Sequence, residues 1–271
     1  MTNQLSITTS GGNMLCVHTA GDGPILMLVH GFPLDHTMWD AQIESLASSY
    51  RVLAPDMRGF GASTNYGDNY SIADLADDLE YARHHLANDQ PIFLCGLSMG
   101  GYIALEYHKR HGKHLAGIIL ADTKPQSDDD ATKAAREAMA DRVGKVGSWE
   151  ATRGMLPKLL STRRATGKDT TTADVARMLR RAPASSVASA QRAMARRADF
   201  ASQLSSISVP TLVVAGEDDV ICPPDATRKW AADIPQASME IINGAGHIPP
   251  METPAAFNEL LERFMGQLTS G

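Results

Sequence analysis

The most constraining stretch of this chain is Gly96-Leu97-Ser98-Met99-Gly100-Gly101, set between the apolar run Pro91–Cys95 and a helical pattern that opens at Met99. A strand that enters a helix through one tight turn forces the central residue into a strained backbone conformation. Flanking glycines remove the Cβ atoms that would clash there. The turn lifts the Ser98 hydroxyl out of the sheet and aims the N–H groups of the following helix at developing negative charge. Without its context the five-residue pattern is only a turn of small residues; between a strand and a helix it marks a nucleophile. A serine hydroxyl is a weak nucleophile and needs a general base.

The rest of the chain supplies a sheet for such a turn. Gln4–Thr9 and Met14–Thr19 alternate around Ser10-Gly11-Gly12-Asn13, which predicts an opening β-hairpin. Short apolar runs of buried-strand type follow at Ile25–Val29, Arg51–Ala54, Ile92–Cys95, Gly117–Leu120, Thr211–Ala215 and Met239–Ile242. Helical patterns lie between them at Ser71–Leu86, with Ser71 as N-cap, at Met99–Arg110, and at Pro254–Leu268. Strands alternating with helices imply a mostly parallel sheet covered on both faces. The middle segment differs, being rich in Ala, Arg and Met at helical spacing. It predicts helices at Asp128–Val146, Ser148–Leu160, Thr172–Arg181 and Ala184–Arg197, separated by Gly147, the polar 161–170 stretch and Pro183. The organisation expected is a core of residues 1–122 and 206–271 and a helical cap of residues 123–205. Such a cap lies over the C-terminal edge of the sheet, where open α/β sheets place ligands.

Of nine histidines, His247 is the candidate base, because it lies in the glycine-bearing loop Asn243–His247 between a strand and the final helix. His108, His111 and His114 recur every third residue, but the third falls beyond Gly112, where a helix stops, so they read as solvated surface rather than a metal site. His84 and His85 read as helix surface, and His18 and His36 carry no further signal. A carboxylate that orients the base is expected at a strand end between Ser98 and His247, and Glu217-Asp218-Asp219 follow Thr211–Gly216 there. The residues alone leave the choice among the three acids open. The order Ser, acid, His is that of α/β-hydrolases, not of chymotrypsin or subtilisin.

On these residues the sequence resembles the α/β-hydrolase superfamily over essentially its whole length, in the branch of cofactor-free haloperoxidases or perhydrolases, small esterases and 3-oxoadipate enol-lactone hydrolases. The matching stretches are His30–Pro33, Asp56–Ser63, Gly96–Gly101, Gly216–Asp219 and Gly244–Pro249. The resemblance implies an eight-stranded, mostly parallel sheet with helices on both faces and a helical cap. It implies Asp219 as the acid, three residues after Gly216 and four before Pro223, with Asp218 as the fallback. It also implies that the backbone N–H groups of Phe32 and Met99 bind the oxyanion, and that neither a metal nor an organic cofactor is needed. Arg58 is not assigned a catalytic part. Dehalogenases and epoxide hydrolases of this fold place an Asp where Ser98 stands, and meta-cleavage hydrolases usually show Asn where Leu97 stands. The expected activity is therefore hydrolysis of carboxylic esters or lactones. Enol-lactone hydrolysis and peracid formation are the alternatives (Pro33 fits the perhydrolase pattern), and a receptor of the same fold that has lost catalysis lies outside enzymology.

Composition narrows partners and location. The net charge of −6 argues against nucleic-acid binding. No apolar run approaches the roughly 20 residues that span a bilayer. The start MTNQLSITTS lacks the features of a signal peptide, and three cysteines without metal spacing do not make a disulfide framework. A cytoplasmic enzyme acting on a small molecule, with no membrane, is the expectation. The charge divides unevenly: Lys124–Asp199 holds 16 Lys and Arg against 9 Asp and Glu, net +7, leaving −13 on the remainder. This contrast either seats the cap or steers an anionic substrate. Trp149, Met155, Leu156 and Met178 are the expected pocket residues of the cap, with Met139 and Met194 further apolar candidates. Arg153, Arg163, Arg164, Arg180 and Arg181 are the cations available to a substrate carboxylate, and for each the plainer reading is a solvated helix face.

Overall fold

The computed structural model describes residues 2–9, 11–65, 69–165 and 169–269. Ser10 of the expected turn and residues 166–168 of the polar stretch lie outside the described residues. Eight strands form one sheet: β1 (Asn3–Thr8), β2 (Met14–Ala20), β3 (Ile25–Val29), β4 (Arg51–Pro55), β5 (Ile92–Leu97), β6 (Leu115–Ala121), β7 (Thr211–Gly216) and β8 (Ala237–Ile242). Their spatial order is β1-β2-β4-β3-β5-β6-β7-β8. β1 and β2 pair antiparallel, as does β2 with β4, and every other neighbour is parallel. The expected strands and the expected eight-stranded, mostly parallel sheet are present.

The helices are α1 (Asp40–Leu46), α2 (Ile72–Leu86), α3 (Met99–His111), α4 (Asp130–Val146), α5 (Ser148–Thr152), α6 (Leu156–Leu159), α7 (Thr162–Ala165), α8 (Thr170–Arg181), α9 (Ala184–Ala195), α10 (Pro224–Ala231), α11 (Pro249–Glu252) and α12 (Pro254–Thr269). Alternation along the strands sends Met27 and Leu53 to one face with Leu75, Leu79 and Ile103 of α2 and α3. Leu26, Leu28 and Val52 go to the other, with Ile43 of α1 and Phe257 and Leu261 of α12. Ser71 caps α2 as read from sequence, in a reciprocal capping box with Asp74.

Between β6 and β7 every described regular element is helical. α4 starts two residues later than expected, because the Asp129 side chain accepts the Thr132 N–H and so caps it. The single helix expected over Ser148–Leu160 is instead α5, a 3₁₀ turn at Arg153–Met155, and α6. Gly154 weakens that stretch, and Pro157 has no N–H to donate to a helix continuing from α5. No helix among the described residues is long and apolar enough to cross a membrane. Cys16, Cys95 and Cys222 are all buried free thiols.

Register places the site. Val29 pairs with Gly96, Leu97 with Ala121, Ala121 with Val214, and Gly216 with Ile242. The parallel strands therefore end along one edge, and Phe32, Ser98, Asp122, Asp219 and His247 all follow strand ends there.

Candidate active site

Ser98 stands between β5 and α3 with φ 55° and ψ −110°, a conformation rarely held by a residue with a side chain. The turn is compressed on both sides. A Cβ at Gly96 would lie 2.1 Å from the Gly100 carbonyl oxygen, and one at Gly100 would lie 2.2 Å from that of Val29. Only glycine fits either place. The Ser98 N–H donates to Ala121 O (2.9 Å), while its carbonyl accepts from Thr123 Oγ1 (2.8 Å). Backbone strain of this kind persists where neighbouring contacts over-determine it.

From Ser98 a hydrogen-bonded chain runs inward. Its Oγ lies 2.9 Å from Nε2 of His247, whose Nδ1 lies 2.8 Å from Oδ2 of Asp219. With Nδ1 protonated against the carboxylate, Nε2 is left to accept the serine proton. Both His247 and Asp219 are buried. Asp219 Oδ1 accepts the N–H groups of Ile221 (2.7 Å) and Cys222 (3.0 Å). Burial alone would raise its carboxyl, but His247 and these two N–H groups outweigh it and hold the acid below its ordinary range. Of the three adjacent acids, Asp219 is the one that meets His247. The Asp218 carboxylate faces Thr162 Oγ1 at 3.4 Å, and Glu217 accepts the Gly244 N–H at 2.8 Å.

The loop after β3 passes against this turn: a Cβ on Gly31 would meet Leu97 Cδ2 at 2.8 Å and Ser98 Cβ at 3.4 Å. The Phe32–Pro33 peptide bond is cis. Met99 is the first residue of α3, so its N–H has no intrahelical acceptor. Among the described residues the Phe32 N–H has no backbone acceptor either.

Residues 24–254 match the alpha/beta hydrolase fold family. The chain belongs to that family. Among the solved structures similar to this α/β-hydrolase is a thermophilic esterase from Thermogutta terrifontis, solved with malate bound. It is 36% identical with a TM-score of 0.94, over 98% of this chain and 99% of the other. A 3-oxoadipate enol-lactonase from Acinetobacter baylyi is 28% identical over 97% of each chain. A non-heme chloroperoxidase from Kitasatospora aureofaciens is 29% identical over 89% of this chain and 90% of its own.

Several functional neighbours were not legible as such. Glu252 of this hydrolase is buried, and its two oxygens accept the N–H of Gly246, beside His247, and that of Ser161 in the cap, each at 2.8 Å. The His247 N–H donates to Leu159 O (3.1 Å), and Arg164 reaches the Glu252 carbonyl at 2.9 Å. A Cβ on Gly246 would strike Ser161 N at 2.4 Å. Residues 159–164 are thus stitched to the histidine loop; the one cue in sequence was an acid just ahead of Pro254. His18 and His36, which carried no signal, stack on each other beside Asp56. Asp56 accepts His36 N and Nδ1, both at 2.8 Å, and Ala62 N at 2.9 Å, and so fixes the loop after β4. His30 joins that loop to the one after β3, accepting Met57 N at 2.9 Å, and burial pushes its pKa down. Arg58 pairs with Asp78, in keeping with a structural part. His111 pairs with Asp77, and His114 lies 3.5 Å from Glu80, so carboxylates occupy two members of the spaced histidine series.

The expected pocket residues lie in or against the two apolar clusters. Met178 lies in the cluster of Leu159, Leu160, Val175 and Leu179, with Trp149, Met155 and Leu156 against it. Met139 and Met155 also border the other apolar cluster, to which Met194 belongs. The cap arginines are engaged: Arg153 with Glu150, Arg164 with Asp169, Arg181 with Asp35 and Thr37, while Arg180 lies over the Trp149 ring at 3.8 Å. Arg181 pairs with Asp35 and Arg164 donates to the Glu252 carbonyl, so both join residues 123–205 to the rest of the chain.

Proposed function

We propose that the chain is a serine hydrolase of carboxylic esters, with Ser98 as nucleophile, His247 as general base and then acid, and Asp219 as the group that orients and charge-stabilises the imidazole. The observation that carries this is the continuous chain Ser98 Oγ, His247 Nε2, His247 Nδ1, Asp219 Oδ2, set on a strained turn at the sheet's C-terminal edge. His247 takes the Ser98 proton as Oγ attacks the acyl carbon. The tetrahedral oxyanion lies against the N–H groups of Phe32 and Met99. The C–O bond to the leaving alcohol breaks, and the alcohol departs with the proton from Nε2. Water then gives its proton to His247 and attacks the acyl-enzyme, and Ser98 regains a proton as the acid leaves.

A neutral ester fits better than an acidic lactone. Of the cap arginines that would hold a second carboxylate, Arg153, Arg164, Arg180 and Arg181 already face acids or an aromatic ring. The esterase likeness at 36% identity favours an ester over a lactone. Peracid formation is the second reading, favoured by Pro33 and the chloroperoxidase relative; peroxide would replace water in the second half of the same cycle. Residues 123–205 act as the cap over the acyl site, with Trp149, Met155, Leu156 and Met178 as its apolar lining. Three unpaired thiols suit a cytoplasmic setting.

Turnover of 4-nitrophenyl acetate should be lost in Ser98→Ala, and wild-type rates in that variant would overturn the mechanism. Kinetics on a neutral ester, an acidic lactone and acetate with peroxide then separate the readings. Preference for the acidic lactone would reject the neutral-ester assignment, and binding without multiple turnover would make the protein a receptor.

A further inference from the structure

Asp122 follows β6 directly and has no part in the cycle above. Its side chain is fully buried, and its backbone sits at φ 46°. Oδ1 accepts the N–H of Gly216 at 2.7 Å, which ties the end of β6 to the end of β7. Oδ2 meets no donor among the described residues. The groups around it are acids and thiols: Asp219, whose N–H donates to the carbonyl of the same Gly216 at 3.2 Å, then Cys95, Cys222 and Glu252.

A bare carboxylate in that position would be a buried charge with no cation beside a second carboxylate. Two acids in contact hold one proton between them. Asp219 is the partner whose charge is supported, by His247 and two backbone N–H groups, so the proton belongs on Asp122. Given the mechanism above, we propose that Asp122 is a neutral carboxylic acid whose Oδ2–H donates to Asp219, making it a positioning residue that steadies the triad acid against His247. Burial and the Asp219 charge push the Asp122 carboxyl well above its ordinary range, in keeping with this arrangement.

An asparagine reproduces the whole pattern, its carbonyl accepting from Gly216 and its amide donating to Asp219. Asp122→Asn should therefore keep kcat on 4-nitrophenyl acetate within about threefold, whereas Asp122→Ala, which loses a hydrogen bond to a charged group, should lose roughly 10- to 100-fold. KM should stay within about twofold in both, with rates normalised to sites counted by fluorophosphonate labelling. Infrared spectra at pH 7 should show a protonated-carboxyl band that disappears in Asp122→Asn and persists in Ser98→Ala. Equal kcat per site in Asp122→Ala and wild type, an equal loss in both Asp122 variants, or no such band would each overturn the proposal. Should Asp122→Ala fail to fold, Asp122→Asn and the band decide. Turnover retained by Ser98→Ala would strike the mechanism instead, leaving the band to decide whether Asp122 holds its proton.

Discussion

Replacing Glu252 with Ala removes both acceptors from a joint that holds the histidine loop to the cap. Two buried N–H groups, those of Gly246 and Ser161, lose charge-assisted bonds of 2.8 Å. At about 1.5 to 3 kcal/mol for each bond to a charged group, the loss is about 3 to 6 kcal/mol. Water entering the space left by the side chain, and relief of the buried charge, place the expected value at the lower end of that span. For a chain of this size about 3 kcal/mol corresponds to a fall in Tm of roughly 6 to 12 °C. Because Gly246 precedes His247 in the chain, the same change also loosens the imidazole, and a 1 Å misplacement costs on the order of 100-fold in rate. The assay is a urea titration read by tryptophan fluorescence, with kcat per active site measured on the folded protein. A stability loss below about 1 kcal/mol, or an unchanged kcat per site, would refute the claim that this carboxylate holds the loop.

Phe32→Leu leaves the backbone donor in place, so kcat should stay within tenfold of wild type, against the roughly 100- to 1,000-fold expected for a lost oxyanion donor; a loss of that larger size would give the Phe32 ring a part of its own. Gly96→Ala puts a Cβ 2.1 Å from the Gly100 carbonyl, so it should shift Ser98 and cut kcat by roughly 100-fold or yield insoluble protein; a soluble, fully active variant would show that the turn yields easily. Burial raises Asp35, Asp56 and Asp128, but Arg181 and Thr37, His18 and His36, and Arg197 and Arg136 respectively outweigh it and lower all three. Their stabilising effect is complete above the unfolded carboxylate pKa near 4 and fades as pH falls through the lower folded values. The urea midpoint should therefore drop steeply below about pH 4, and Arg181→Met should flatten part of that drop; the same slope in both proteins would remove the Arg181–Asp35 pair from the account.

What the sequence carried was local. The Ser98 turn is legible because glycine spacing, a preceding apolar run and a following helical pattern occupy neighbouring positions. The strands were found for the same reason, their ends shifting by a few residues. Asp219 was reached only through spacing within a familiar pattern, since three adjacent acids look alike until the backbone shows which one turns inward. Glu252 and Asp122 were not legible. Gly216 lies 94 residues from Asp122 and Ser161 lies 91 from Glu252, whose other partner is Gly246, and no periodicity encodes contacts of the longer range. The helix read across Ser148–Leu160 failed because apolar spacing continued past Gly154 and Pro157, and the backbone limits of those residues prevailed over the pattern.

The stitching of residues 159–164 to the histidine loop bears on how such a protein is able to change. A helical insert over an active site looks like an exchangeable part, free to be traded for another when a new substrate is wanted. Here the insert supplies the carbonyl that holds the His247 amide and the N–H that shares Glu252 with Gly246. A transplanted cap that brought new pocket walls without this short segment would leave the His247 loop unmoored. A change of pocket walls that keeps this joint therefore has to be made in the helices on either side of the seam, with residues 159–164 left in place.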